Sequence, residues 1–387
     1  MPAVIYPKGI MAGGGIYVHF PFCRSKCPYC DFYSVTEGSF DTVRFYGSLI
    51  REIEFAAFSR EKTRIDTIFI GGGTPSLAEP AALAEVIGAI NSNFEVDRDA
   101  EITLECNPES IDPLKLEGYL NSGVNRISIG AQSFCDNELK RLGRIHDAEQ
   151  AEAAIGAARK AGFVNFSLDL IYGIPDQTFA SWKESLETAL SFDPPHLSAY
   201  CLTLEGGTPM QIDAEAGSIE VPDETMQAGF YNILLDTIEK SPLRQYEISN
   251  FAKPGNESRH NLKYWQGLPY LGLGPGAHSF DGIKRWSNAA DIAVYCAEIE
   301  SGRLPVAHIE EIDPVLRLKE RTMLGLRLAE GVPYAEVGPA IDAEETAELI
   351  RRGMIVLTDD GRLKITRKGL FVGDEIIVRI IEPGGKP

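Results

Sequence analysis

Residues 15–33 read GIYVHFPFCRSKCPYCDFY, and the fold turns on them. Three of the chain's seven cysteines, Cys23, Cys27 and Cys30, stand here with C-x3-C-x2-C spacing. Three thiolates this close on one loop make a metal site, because soft sulfur donors suit zinc or iron–sulfur clusters. The spacing lacks the paired C-x2-C knuckles of ordinary zinc sites. Three sulfurs on a four-iron cubane leave one iron free to take a further ligand. A zinc site with His19 as the fourth ligand is the other reading of the same residues. His19 also lies in the alternating run 16–20, where it reads equally well as a half-buried core or pocket residue.

With the aromatic Tyr29 directly before the third cysteine, this segment resembles the signature of the radical S-adenosylmethionine (SAM) enzymes. The resemblance implies a [4Fe–4S] cluster whose free iron chelates the amino and carboxylate groups of SAM. It further implies electron transfer from the cluster, cleaving SAM to methionine and a 5′-deoxyadenosyl radical.

Outward from the cysteines, residues 16–20, 67–71, 101–106, 126–130, 165–171 and 196–204 read as strands. Helical patterns at 41–58, 81–91, 113–121, 148–161 and 179–191 lie between them. Such alternation predicts an α/β fold with a parallel sheet and right-handed crossovers. Six units fit a partial (β/α)6 radical SAM barrel better than a complete eight-unit one. Functional residues are then expected at the C-terminal strand ends, where the βα loops converge. Residues 1–14 read as a flexible leader, 15–245 as the partial barrel, 246–313 as a heme-binding and connecting segment, and 314–387 as a C-terminal winged-helix-like α+β module.

The motifs follow the strand ends. Gly71-Gly72-Gly73-Thr74-Pro75 stands straight after a strand; a triple glycine permits positive φ and close ligand approach, or merely a flexible turn. Glu105 ends the strand in EITLECNP, and Asp169 sits inside the apolar strand SLDLIYG, where a carboxylate needs a partner. Gln132 follows its strand in GAQSF and Arg144 lies in RLGRIH. The radical SAM resemblance implies that Tyr17, Gly72, Gly73, Thr74, Glu105, Gln132, Arg144 and Asp169 bind SAM. In it Gly72, Gly73 and Thr74 receive the methionyl amino group, Gln132 and Asp169 the ribose, and Arg144 the carboxylate.

Beyond residue 205 the pattern loosens. The stretch 259–265, RHNLKYW, reads as a packed aromatic turn with an inert His260. Its H-N-x-x-Y-W pattern also resembles the heme-binding segment of HemW-type proteins, which implies heme at His260, Tyr264 and Trp265. YLGLGPGAHSF at 270–280 lacks the strand–loop–helix frame of a dinucleotide site and resembles instead a glycine-rich segment of the HemN/HemW group. His278 within it is a candidate for the cavity wall.

The formal charge of −19 argues against a general nucleic-acid binder. The nearly balanced charge of the C-terminal module itself makes that module an interaction domain or lid rather than a DNA reader. No apolar run approaches the roughly 20 residues of a membrane span. No secretory signal is visible, so a cytoplasmic or peripheral location is expected. The scattered Cys106, Cys135, Cys201 and Cys296 read as free thiols in a reducing compartment. The oxygen-independent coproporphyrinogen III oxidases carry one more cysteine, two residues past the third ligand; here that position is Phe32. The resemblance therefore leans to a heme chaperone, holding heme, a SAM-ligated cluster and contacts with heme-accepting proteins such as respiratory enzymes. Peripheral membrane contact and a homodimer are compatible with that role. The alternative within the group is radical oxidative decarboxylation of coproporphyrinogen III to protoporphyrinogen IX. A zinc-containing nucleic-acid-binding protein is the reading from another class.

Overall fold

The computed structural model describes residues 14–58 and 64–382. The leader expected at 1–14 lies outside the described residues except for Gly14.

Six parallel strands stand side by side in chain order: β1 (Gly14–Phe20), β2 (Arg64–Gly72), β3 (Glu95–Cys106), β4 (Arg126–Gln132), β5 (Phe166–Tyr172) and β6 (His196–Cys201). The crossovers carry helices α1 (Thr42–Phe58), α2 (Pro80–Asn93), α3 (Pro113–Asn121), α4 (Ala148–Ala161) and α5 (Phe179–Ser191). This is the partial (β/α)6 barrel. Helical spacing explains the packing: α1 turns Phe45, Leu49, Ile53 and Ala56 to the sheet, all fully or nearly fully buried. The Asp147/Gln150 capping box opens α4, and Gly162 at φ 111° ends it. On β4 the alternation is complete. Ile127, Ile129 and Ala131 face the helices, and Arg126, Ser128, Gly130 and Gln132 face the barrel interior.

The sheet does not stop at β6. Asn250–Ala252 and then Arg244–Glu247 add antiparallel strands beyond it. On the other side Tyr270–Leu273 pairs in parallel with β1, followed by His278–Phe280, Lys284–Asn288 and Val306–Glu311, which makes twelve strands. The stretch 246–313 is thus continuous with the barrel sheet at both its edges. Residues 244–252 form a hairpin. The chain turns at Ile248 and Ser249, where the Glu247 carboxylate accepts the Ser249 N–H at 2.9 Å and also takes the Asn250 side chain. β3 begins earlier than expected because Glu95 and Val96 pair with Arg64 and Ile65.

Helices Pro314–Leu326, Ala343–Arg351 and Gly373–Ile381 surround a three-stranded antiparallel sheet of Val332–Pro333, Arg362–Ile365 and Ile355–Leu357. This winged-helix-like module has its own core, including Leu326, Leu349, Ile355, Leu363 and Ile377. It closes on the barrel through Arg367, paired with Asp236 of α6 (Glu224–Ile238) and with Glu239, the residue that caps that helix. It also covers the outermost strand: Leu328 bridges to Glu247, and the Ala329 N–H donates to Tyr246 O at 2.9 Å. Among the described residues, no helix is long and apolar enough to cross a membrane.

Candidate functional site

The loop after β1 carries the cysteines across the C-terminal end of the barrel. Backbone bonds sew it to β2: Gly73 N–H to Phe20 O at 2.7 Å, and Thr74 N–H to Phe22 O at 2.8 Å. Further along, Glu37 N–H reaches Cys23 O at 2.8 Å, and Met210 N–H reaches Pro28 O at 2.9 Å. The glycines are needed for this seam. Gly72 sits at φ 113°, and a Cβ there would meet the His19 ring at 2.6 Å.

Below the loop lies a cavity of about 750 Å³. Cys23, Cys27 and Cys30 line it, together with Tyr17, Gly72, Gly73, Thr74, Glu105, Gln132, Arg144 and Asp169. Thr74 Oγ1 donates to Cys23 Sγ and Arg144 Nη1 to Cys27 Sγ, each at 3.6 Å. Arg144 also gives Nη2 to Asn107 Oδ1 at 2.7 Å. Its Nε is buried without a partner. The His146 ring braces this loop between Glu109 Oε2 and Ala131 O, at 3.0 and 3.1 Å. Gln132 holds φ at 65°, a strained value for a side-chain-bearing residue at the rim.

His19 is buried off the cavity wall, the core residue rather than the metal ligand of the sequence readings. Its Nε2 lies 2.9 Å from the Tyr33 carbonyl, which can only accept, so Nε2 carries the proton. Burial lowers its pKa, so the ring is neutral and Nδ1 accepts from the Tyr17 hydroxyl at 3.0 Å. Among the described residues, no three His, Cys, Asp or Glu side chains gather tightly enough to hold a single metal ion. Three thiols on one cavity wall are a donor set of the chemistry that suits an iron–sulfur cluster. Phe32, where the oxidases carry the extra cysteine, is 62% exposed.

The two carboxylates differ. Asp169 accepts from Ser128 Oγ at 2.8 Å and Ser167 Oγ at 2.7 Å, and burial raises its pKa. Glu105 accepts only the Gly72 N–H, at 3.1 Å, among the described residues. Burial chiefly, with Asp169 nearby, pushes its pKa up to about 7, against the pull of Gly72 N–H and Arg126. The folded chain therefore holds a proton on Glu105 that the unfolded chain releases near its usual value of 4.5. Stability of the ligand-free protein falls as pH rises between these two values, by up to about 3 kcal/mol, and levels off above. A ligand that donates hydrogen bonds to Glu105 prefers the ionised form. Calorimetric SAM titrations between about pH 6 and 8 are expected to tighten several-fold with rising pH, and the Glu105→Gln variant to lose that slope. An equal slope in both proteins removes Glu105 from the site.

Of the residues expected to bind heme, only Tyr264 lines this cavity. All belong to helix α7 (Arg259–Gln266), which plugs the N-terminal end of the barrel. His260 is fully buried there, with Nδ1 2.9 Å from Thr67 Oγ1, Nε2 2.9 Å from the Tyr264 hydroxyl, and its ring stacked on Phe69. Burial, with Lys263 and Arg126 nearby, holds its pKa down at about 3. Glu101 caps the helix by accepting the Arg259 and His260 N–H groups, both at 3.1 Å. Trp265 turns the other way, beneath Arg327 of the C-terminal module at 6.0 Å. His278 is exposed and lies off the cavity. Sequence reasoning missed Arg126, Asn107, Ser198 and Tyr200, which also line the cavity. The alternation of β3, β4 and β6 would have marked them, since each shares a face with a residue already chosen or lies just past it.

Residues 17–189 match the radical SAM superfamily. Over 366 residues, 94% of this chain and 93% of the relative, the sequence is 34% identical to the heme chaperone HemW of Mycobacterium tuberculosis. The chain belongs to the HemW/HemN group of the radical SAM superfamily. Its kin extend to the mitochondrial radical S-adenosyl methionine domain-containing protein 1 of Danio rerio, 32% identical over 389 residues, 95% of this chain and 86% of that one. The Escherichia coli coproporphyrinogen III oxidase HemN superposes with a TM-score of 0.82 at 22% identity, over 97% of this chain and 91% of that chain. At that identity the likeness concerns architecture. As a HemW/HemN-type radical SAM protein the chain is built for [4Fe–4S] and SAM chemistry.

Proposed function

We propose that Cys23, Cys27 and Cys30 carry a [4Fe–4S] cluster, that SAM fills the adjoining cavity, and that the protein handles a heme-pathway tetrapyrrole. The observation that carries this reading is the convergence of the three thiols and all the expected SAM residues on one cavity. When bound, the cluster and SAM supply one-electron reductive cleavage of a carbon–sulfur bond. The chain's own residues do the rest. Thr74 and Arg144 orient the Cys23 and Cys27 sulfurs. Asp169, held by two serines, and Gln132 take ribose hydroxyls. Glu105 takes an ammonium or hydroxyl hydrogen, and the walls keep water from the reacting atoms.

Heme carriage and delivery to an acceptor protein is the reading that kinship supports: the relative named above as a heme chaperone matches nearly end to end, and Phe32 replaces the oxidases' cysteine. It assigns heme to His260, Tyr264 and Trp265. In the described conformation His260 and Tyr264 are bonded to each other, Trp265 turns away, and both His260 nitrogens are engaged, so ligation there requires α7 to leave the barrel floor. The site geometry taken alone therefore favours the second reading, oxidative decarboxylation of coproporphyrinogen III, which needs only the intact SAM cavity and not an axial histidine. Anaerobically prepared protein separates the two. Under carriage, heme binds, passes to an apo-acceptor, and loses affinity in the His260→Ala variant, while coproporphyrinogen III with SAM and reductant is unchanged. Turnover of coproporphyrinogen III establishes the oxidase instead.

A further inference from the structure

Arg126 opens β4 at the far end of the cavity from the cysteines, about 20 Å along the strand from Gln132. It is 2% exposed and lines the cavity. Among the described residues its guanidinium makes no hydrogen bond and no ion pair, and Nε is buried without a partner. Its register partner on β3 is Thr103, whose Oγ1 is likewise buried and unpartnered. A buried arginine ordinarily spends its five N–H donors on fixed acceptors, because leaving them bare in a low-dielectric interior is costly. The nearest acids are not those acceptors. Asp169 is held by Ser128 and Ser167, and Glu105 by Gly72 N–H. Arg126 acts on both through its charge alone. Balancing those acids uses the positive charge but leaves the forked donors idle.

We infer that Arg126 is the receptor for an aliphatic carboxylate on the molecule that fills the depth of this cavity. The planar fork suits a carboxylate in two-pronged fashion. Two molecules of the proposed function carry such a group. A tetrapyrrole, through its propionates, is the source we commit to, because the methionyl carboxylate of SAM is claimed at the cysteine end beside Arg144; SAM is the competing outcome of the test. Both sources rest on that proposal.

The test is a pair of binding cycles on cluster-loaded protein under anaerobic conditions. One arm compares SAM with decarboxylated SAM by calorimetry. The other compares coproporphyrin III with its tetramethyl ester by fluorescence quenching. Each ligand is titrated into the wild type, Arg126→Lys and Arg126→Gln. Removing the carboxylate from the ligand that Arg126 grips is expected to weaken wild-type binding at least about tenfold. That ratio collapses toward one in Arg126→Gln and falls several-fold in Arg126→Lys, which keeps the buried charge and loses the fork. Should Arg126→Gln not fold, the ratio in Arg126→Lys against the wild type decides. Ratios equal to the wild-type value in both arms overturn the assignment. If coproporphyrin III fails to bind the wild type, the tetrapyrrole reading falls and the SAM arm alone decides for Arg126.

Discussion

Replacing Cys27 by alanine is expected to abolish cluster assembly outright, leaving iron and acid-labile sulfide below about a tenth of the wild-type content after anaerobic reconstitution. In the proposed site Cys27 is the middle ligand of a set that has no spare. Among the described residues no other cysteine lies in the loop, and Phe32 offers carbon where a fourth sulfur would stand. A cubane held by two thiolates loses the chelation that three provide on one short loop. The same change strands the Arg144 guanidinium, which loses its Cys27 contact and keeps only Asn107 and Gly130 O. The polypeptide itself is expected to fold, because the thiol is half-buried on a loop that backbone bonds secure at both ends. Iron and sulfide analysis with circular dichroism reads both effects. Cys135→Ala, on a different loop, is the control expected to retain the full complement. Normal iron and sulfide in the Cys27 variant would sink the three-thiolate site.

Gly73→Val should damage the same site from the other side of the seam. A Cβ on Gly73 would lie 2.6 Å from Phe22 O and 3.0 Å from Phe20 O, both main-chain atoms. Neither can yield without breaking Gly73 N–H to Phe20 O or Thr74 N–H to Phe22 O. Lost hydrogen bonds and overpacking together cost about 2–4 kcal/mol. The displaced loop carries Cys23, so cluster content is expected to fall with stability. Gly88→Ala is the contrasting case, in α2 with nothing within 4 Å of the added carbon, and should leave stability level or slightly raised. Urea unfolding of the cluster-free proteins checks the ordering. Equal midpoints for the Gly73 and Gly88 variants would mean that the seam does not hold the loop.

The legible parts of this fold were those with a strong local period. The β–α alternation of 15–205 shows in apolar runs that bury against helices, as Ile127, Ile129 and Ala131 do on β4. The cysteines and the glycine run were legible because their chemistry is carried by residue type and spacing. The hairpin at 244–252 was not, because its turn depends on the Glu247 carboxylate folding back on Ser249 and Asn250. Nor was the state of His260. H-N-x-x-Y-W reads alike for an iron ligand and for a barrel plug, and only the contacts of Thr67, Phe69 and Glu101, all distant in sequence, separate them. Arg126 went unread for a related reason. A cation at the start of a strand looks like a surface residue until the barrel curls around it.

The way the C-terminal module meets Tyr246 and Glu247 bears on how one edge of the sheet is kept from pairing with other chains. The sheet does not close on itself, so its outermost strand, Arg244–Glu247, offers main-chain donors and acceptors to any passing extended peptide. Residues 328–329 occupy those groups from within the same molecule. A version of the protein cut before residue 314 would keep the cysteine loop and its cavity, yet bare a raw margin onto which further chains can zip.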